Sequence, residues 1–359
     1  MKILKDWCCE HPIIIEDMDE VVSDSVIPWK ALENTVVLVT GATGLIGSHV
    51  VKTLLYAADK LGVKVNVCAV VRNIAKAEKV FAGQKAFWGN RLSFYEGDVR
   101  AAFPQDMKAD YIIHAASATA SLEFISRPVD VIDTTLDGTR SILQLAHQSA
   151  SGSVVYISSM EVYGALDHTR VCENESGSIN PLAVRSSYPQ SKRMAETLCV
   201  AYFTQYDVPV KIVRPTLTFG AGVPETDNRV YAQFARSALS GTDIVLHTLG
   251  MTKRDYIYTS DAVRSILSVL FLGENGKAYN LSNAETYSTI REMAELVSTM
   301  GEGCRVVFDC DEEKQKQYAS EIQIQLDDTK FNALNKFHHK SLQEMFERMM
   351  TVMRDTAVV

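Results

Sequence analysis

The sequence predicts a doubly wound α/β fold: a parallel sheet covered on both faces by helices, with a smaller, mostly helical C-terminal lobe. Three observations carry that expectation. Short β-branched runs alternate with longer segments of helical periodicity, short connections join them, and the rhythm breaks after Arg214. Strand–helix alternation of this kind needs crossover connections, and crossovers make a sheet parallel.

Taken in order, residues 1–34 are a polar and apolar lead-in ending near Pro28-Trp29, with no evident role beyond packing or oligomer contacts. TVVLVT (Thr35–Thr40) is too short for a helix and does not alternate, which fits a strand buried on both faces. Glycines follow, and then a helical segment from Leu45 to about Leu61. KVNVCAVV (Lys64–Val71), RLSFYEG, YIIHAA (Tyr111–Ala116) and SVVYISS (Ser153–Ser159) supply the next four strands. A helical pattern, VDVIDTTLDGTRSILQLAHQSA, separates the last two of these. Another helix is expected from about Tyr188 to Tyr206, followed by the strand VPVKIVR (Val208–Arg214). Beyond it, TFGAGVPETDNR reads as loop, leading to a helix over Val230–Leu239, a short strand DIVLH and a helix starting near Asp261. The last eighty residues read as mostly helical, with the Met-rich tail as core packing.

Composition narrows the class. The chain has 359 residues, 47% hydrophobic and 22% charged, which is ordinary for a globular protein and excludes disorder and fibres. Its formal net charge of −8 gives no global attraction to nucleic acid or an anionic membrane. No run approaches the ~18 apolar residues of a spanning helix, and the N-terminus lacks the pattern of a secretory signal. Seven cysteines, Cys8, Cys9, Cys68, Cys172, Cys199, Cys304 and Cys310, are odd in number and lack framework or metal-ligand spacing. They read as reduced thiols of a cytoplasmic protein without a bound metal.

Val39-Thr40-Gly41-Ala42-Thr43-Gly44-Leu45-Ile46-Gly47 joins the first strand to the first helix. Glycine is required where backbone turns with positive φ, where it approaches a phosphate, and where helix touches strand. The helix N-terminus adds free N–H donors and a positive dipole end, so this turn is expected to bind the pyrophosphate of a dinucleotide in a Rossmann domain. That domain is expected over residues 35–214, partly rejoined by 236–272, with residues 215–359 forming a mainly substrate-binding lobe. Arg72, at the end of the second strand, suits a 2′-phosphate and leans toward NADP; the alternative is an exposed strand-end arginine. Asp98 is either an acceptor for the adenine amino group or a plain turn aspartate.

Tyr188-Pro189-Gln190-Ser191-Lys192 places a phenol and an ammonium four residues apart, on one helix face. A phenol titrates near ~10, and a neighbouring cation favours its phenolate. Such a base can take the proton of a sugar hydroxyl while hydride leaves the same carbon for a nicotinamide. Ser159, closing the fifth strand, can hold the reacting oxygen against Tyr188.

Gly41/Gly44/Gly47, HAAS (His114–Ser117), SSMEVYG (Ser158–Gly164) and YPQSK together resemble the extended short-chain dehydrogenase/reductases, specifically the NAD-dependent epimerase/dehydratase family. The resemblance covers roughly Thr35 to Leu281. NPLAVRSSYPQSKRMAETLC, DNRVYAQFARSALSG and KRDYIYTSDAV are most similar to the UDP-glucuronate decarboxylase branch. It implies bound NAD or NADP, a nucleotide-diphosphate sugar, a transient 4-keto sugar, and a homodimer formed through the helices around Val129–Gln148 and Tyr188. Ser159, Tyr188 and Lys192 would be the catalytic triad. Thr43, Leu45, Ile46, Val99, Ala115, Ala116, Ser117 and Pro215 would join the glycines, Arg72, Asp98, Tyr188 and Lys192 around the cofactor. Glu161 falls where relatives carry a glutamate that acts as acid/base or organises water near carbons 5 and 6; its alternative is a solvent-facing loop residue. Arg229 and Arg254 match positions facing the substrate diphosphate, the alternative being exposed ion pairs.

Three positions depart from the family pattern. Met160 replaces the acid of dTDP-glucose 4,6-dehydratases, which makes that activity improbable. Leu217 and Thr135 stand where relatives usually have asparagine. The expected activity is therefore epimerisation of a nucleotide sugar with no net redox. The alternatives are decarboxylation of a nucleotide uronate, NADPH-dependent reduction of a keto sugar, and an NAD(P)-sensing protein without catalysis.

Overall fold

A computed structural model describes residue 7 and residues 9–118, 121–310 and 321–356; Cys8 lies outside these described residues. The first strands are β1 (Thr35–Thr40), β2 (Val65–Val71), β3 (Leu92–Glu96), β4 (Tyr111–His114) and β5 (Ser153–Ile157). Then come β6 (Arg170–Val171), β7 (Val210–Pro215), β8 (Leu217–Phe219), β9 (Ile244–Leu246) and β10 (Lys253–Tyr258). The last are β11 (Ala278–Leu281), β12 (Asn283–Thr289), β13 (Val306–Phe308) and β14 (Gln323–Leu326). Helices α1 (Pro12–Val22), α2 (Leu45–Leu61), α3 (Ile74–Val80), α4 (Glu123–Ser126) and α5 (Pro128–Ser149) belong to the first half. They are followed by α6 (Ser187–Tyr206), α7 (Val230–Ser240), α8 (Thr259–Leu272), α9 (Ile290–Ser298) and a C-terminal helix, Leu342–Thr356.

Seven parallel strands form the main sheet in the order β3-β2-β1-β4-β5-β7-β11. The lack of alternation in β1 has a direct cause. Val37 and Val39 enter the core shared with α1, α2 and α8, while Leu38 enters the core beneath α5 and α6. Both faces are covered, so the positions from Val36 to Val39 are all apolar. The chain reverses its direction of winding between β1 and β4, whose ends pair Thr40 with His114. The turn after β1 and the segment after β4 therefore face one another across a crevice, the place where such sheets bind ligands.

The lead-in is part of this core. Trp7 is completely buried, with its ring 5.2 Å from Tyr56 and 5.7 Å from Phe87. On α1, Asp17 accepts from the Tyr258 hydroxyl at 2.7 Å and pairs with Arg348 of the C-terminal helix at 3.0 Å. Burial pushes its carboxyl up to about 7, against the pull of Arg348 and Tyr258. Asp24 accepts from Arg264 and from Asn335, and Lys340 pairs with Glu20. The segment from α1 to Asp24 is thus tied to β10, α8 and the C-terminal helix.

The C-terminal lobe contains more strand than its sequence pattern suggested, which corrects the mostly helical expectation for the last eighty residues. A second sheet runs β12-β10-β14-β6, with β8 beside β10, and β9 pairs with β13. These strands are short and half polar, as in NAETYST and QIQL, so no continuous apolar run marks them. No helix among the described residues is long and apolar enough to cross a membrane.

Replacing Trp7 with alanine removes the largest side chain that ties the lead-in to α2. The expected cost is about 3–5 kcal/mol, read as a lower urea midpoint at unchanged m-value.

Candidate active site

The glycine turn has the backbone its spacing demanded. Gly41 sits at φ +62, and a Cβ there would lie 2.6 Å from the Ala115 carbonyl oxygen. A Cβ on Gly47 would lie 2.2 Å from the Gly41 carbonyl oxygen, so helix and turn touch only because both lack side chains. Exposed Gly44 caps α2 without any side-chain hydrogen bond. The first amides of α2, at Leu45, Ile46 and Gly47, are left for an anion. Thr43 is half-buried beside them, and Ala115, Ala116 and Ser117 form the opposite wall, also half-buried. That wall is pinned by the Thr40 hydroxyl, which accepts from the Ala116 amide at 3.1 Å and lies 2.7 Å from Nδ1 of buried His114. The residues present fit a dinucleotide: a cradle that any Cβ would fill, at a helix start with free donors.

Along the crevice from this turn, α6 presents Tyr188 and Lys192 side by side. Lys192 is 2% exposed, and its Nζ donates to the Ile157 carbonyl at 2.7 Å. The same Nζ lies 4.8 Å from the Tyr156 ring centre and 5.8 Å from that of Tyr188. Burial pushes the ammonium down to about 7, with Glu196 and Cys199 opposing. Tyr188 is also buried, and its ring stacks on Phe124 at 4.2 Å with planes 6° apart. Burial pushes this phenol up to about 12, while a hydrogen bond with Ser159 pulls the other way. Ser159 starts a 3₁₀ turn, Met160–Tyr163, and its Oγ accepts from the Glu161 amide at 3.2 Å. The expected triad is thus assembled at one place.

Glu161 follows directly and is not a free loop carboxylate. Arg185 donates to both of its oxygens, at 2.7 and 3.1 Å, in a forked ion pair. The Arg185 guanidinium also lies 5.6 Å from the Phe124 ring centre. Glu161 raises the Tyr188 phenol, and Arg185 and Arg229 lower it. Arg229, at the start of α7, forks onto Asp227, whose side chain is only 8% exposed. Sequence reasoning missed Arg185 and Phe124. An arginine three positions before Tyr188, on the same helical face, was the available signal for the first.

The remaining predicted residues lie around this group. Arg72 is exposed at the end of β2 and close enough to lower the Asp98 carboxyl. Asp98 has both oxygens engaged by Arg100, at 2.7 to 3.0 Å, so an adenine amino group would have to share them. Val99 is buried, and a Cβ on Gly138 of α5 would lie 2.9 Å from its Cγ2. Pro215 is buried at the end of β7, paired with Leu281. Arg254 stands apart on β10, in register with Ser288 and Ile324, and no carboxylate pairs with it among the described residues. Leu217 is half-buried on β8 opposite Tyr256. Thr135 turns its hydroxyl back to the Val131 carbonyl at 2.8 Å, and Met160 is buried against the Thr216 hydroxyl.

Behind α6 a second unforeseen network holds the helix in place. Glu196 accepts from the Ser158 hydroxyl at 2.5 Å and from Arg214 at 2.9 and 2.6 Å. Arg214 also donates to the Tyr163 hydroxyl at 3.0 Å, which in turn donates to Asn280 at 2.5 Å. Both flanks of Ser159 are thereby tied to α6, β7 and β11.

A switch-point glycine cradle beside a Ser–Tyr–Lys group defines an enzyme of the extended short-chain dehydrogenase/reductase class. The chain belongs to the NAD dependent epimerase/dehydratase family, whose model matches residues 37–282. It is 30% identical over 267 residues to UDP-glucuronic acid decarboxylase 1 of Danio rerio, which covers 74% of this chain and 60% of that protein. The chain thus spans well under two thirds of that relative's length. UDP-glucuronic acid decarboxylase 6 of Arabidopsis thaliana is 30% identical over 273 residues, covering 74% of either chain. Among solved structures, a double mutant of dTDP-glucose 4,6-dehydratase from Streptomyces venezuelae with NAD bound is similar at 26% identity. It superposes with a TM-score of 0.73, covering 90% of this chain and 98% of that one.

The depressed Lys192 pKa has a thermodynamic consequence. Its folded value lies near 7, below the ordinary 10.5, so the unfolded chain binds more protons between these limits. Stability should therefore rise with pH across that window. Lys192→Met is expected to raise the melting temperature at pH 6 and to lose this advantage progressively toward pH 10. An advantage independent of pH would rule out the buried-ammonium account.

Proposed function

We propose that the protein epimerises a nucleotide-diphosphate sugar through a transient 4-keto sugar, with no net redox change and with NAD as the resident cofactor. The convergence of Ser159, Tyr188 and Lys192 at the switch-point crevice carries this reading. NAD, rather than the NADP toward which Arg72 leans, is the cofactor named by the family.

The chain's own residues have separable tasks. The α2 amides and Gly41 would hold the pyrophosphate, with Ala115–Ser117 flanking it. Ser159 hydrogen-bonds the oxygen on carbon 4 and orients it toward Tyr188. Tyr188 takes the proton of that hydroxyl at its phenolate oxygen and returns it when the ketone is reduced. Lys192 donates toward the nicotinamide ribose and favours the phenolate by its charge. When bound, the nicotinamide supplies the acceptor and then the donor of the electron pair on carbon 4. Arg229 and Arg254 suit the substrate diphosphate, Arg229 through Nη1 while Asp227 keeps Nε and Nη2.

Decarboxylation of a nucleotide uronate is the second reading. Glu161 beside Tyr188, and the similarity to UDP-glucuronic acid decarboxylases, favour it. A 4-ketone lies beta to the carbon-6 carboxylate and accepts the electrons left by departing carbon dioxide. Stoichiometric consumption of added NADPH would instead identify the keto-sugar reductase.

A homodimer is part of the proposal. Val129 and Ile132 on α5 and Met194 on α6 are exposed apolar side chains on neighbouring helices, with Leu122 and Ile125 at the edge of the same face. A cytoplasmic setting suits the free thiols of Cys68, Cys172, Cys199, Cys304 and Cys310.

Tyr188→Phe is expected to abolish turnover of UDP-sugars while NAD binding stays within about twofold, since the phenol bonds to substrate rather than to the dinucleotide framework. Turnover at the parent rate would remove Tyr188 as the proton acceptor. Mass spectrometry of products from UDP-glucose and UDP-glucuronate separates the two readings. Unchanged mass marks epimerisation, and loss of carbon dioxide marks decarboxylation.

A further inference from the structure

We propose that Tyr156 is a positioning residue of the site, whose ring face holds the Lys192 ammonium in place beside Tyr188 through a cation–π contact. This deepens the task given to Lys192 above and rests on that reading.

The task needs a cation, and the surroundings work against one. Lys192 is buried, with the Ile157 carbonyl as the acceptor for its Nζ. Glu196, one turn further along α6, favours the charge, but its oxygens are committed elsewhere. Ser158 and Arg214 hold Oε1 at 2.5 and 2.9 Å, and Arg214 holds Oε2 at 2.6 Å. Cys199, a further turn along, is a thiol that burial keeps protonated. On β4, burial pushes His114 down to about 3, so this imidazole is neutral and brings no anion either.

Tyr156 supplies what these groups do not. It stands on β5 directly before Ile157, in register with His114, and the Lys192 Nζ lies 4.8 Å from its ring centre. The face of an aromatic ring carries negative potential, and it attracts an ammonium most strongly where water is excluded. Tyr156 is as buried as the lysine itself. Burial also pushes its phenol well above the ordinary value, so the ring stays neutral and takes no part in proton transfer. The Tyr188 ring is farther from Nζ, at 5.8 Å, and belongs to the group on which the charge is to act.

The end of β5 then works as one unit. Tyr156 gives its ring, Ile157 its carbonyl and Ser159 its hydroxyl to the pair on α6. The carbonyl takes one N–H of the ammonium and the ring attracts its charge. The donors that remain are free for the dinucleotide.

The test follows the lysine ε-carbon resonances through a pH titration of the NAD-loaded full chain, labelled with carbon-13 lysine. The signal lost in Lys192→Met identifies the residue. Tyr156→Phe keeps the ring face, so Lys192 is expected to titrate within about 0.3 pH unit of the parent. Trifluorophenylalanine at the same position withdraws charge from the ring face at nearly constant shape. Lys192 should then titrate about one pH unit below the phenylalanine variant. Tyr156→Met fills much of the space without a ring, should give a similar fall, and carries the test if the fluorinated protein does not fold. Titration at the parent value without the ring or with it fluorinated would overturn the proposal. A rise, the mark of water entering, would overturn it too. A fall already complete in Tyr156→Phe would assign the effect to the hydroxyl and overturn it as well. None of these outcomes bears on the sugar, which turnover by Tyr188→Phe and the product masses test separately.

Discussion

The site is organised around one costly arrangement, a lysine ammonium enclosed between strand and helix with a single backbone carbonyl as its hydrogen-bond partner. Lys192 reaches the Ile157 oxygen at 2.7 Å while tyrosine rings occupy its sides. The carbonyl belongs to the last residue of β5, two residues before Ser159. Together with the Ser158–Glu196 hydrogen bond, this contact ties the strand that carries the serine to the helix that carries the tyrosine. Desolvation destabilises the charged lysine and pushes it down to about 7. The packing thus sets an amine that gives up its proton easily beside the ring of a buried phenol.

That phenol shows why the surrounding charges matter. Tyr188 is held up at about 12 chiefly by burial, so the protein alone leaves it an acid of the wrong strength for a base. Ser159, Arg185 and Arg229 pull it down and Glu161 pushes it up. The rigid parts lie elsewhere: the Glu196–Arg214–Tyr163 network keeps β5, α6 and β7 in register, and it is buried or nearly so. Charges in front, which act on the phenol, and a paired network behind it divide the work between setting its acidity and keeping the reacting groups aligned.

Legibility in the sequence follows the same division. The strands of the main sheet were readable because burial on both faces writes an unbroken apolar run, as in β1 and β5. The glycine turn was readable because Gly41 and Gly47 occupy places where a Cβ meets backbone at 2.6 and 2.2 Å, and only one residue type fits. Tyr188 and Lys192 were readable through helical spacing. Arg185 was not, because an arginine before a helix usually faces water, and its partner lies 24 residues away in the chain. The polar strands β12 and β14 escaped for a related reason. Their stability comes from neighbours β10 and β6 that no local pattern announces.

The lead-in carries the argument one step further. Its helix α1 contributes Asp17 to Tyr258, and the Tyr258 hydroxyl accepts from the Ala221 amide at 3.4 Å. Ala221 lies in the loop after β8, between Gly220 and Gly222. In that loop a Cβ on Gly222 would lie 2.4 Å from the ring of His49 on α2, the helix that offers its N-terminus to the cofactor. The segment before β1 thus supports, through one tyrosine, the loop that packs on α2. A residue remote from the reacting groups can bear on the geometry of a site when it stands behind a loop packed against one of that site's helices.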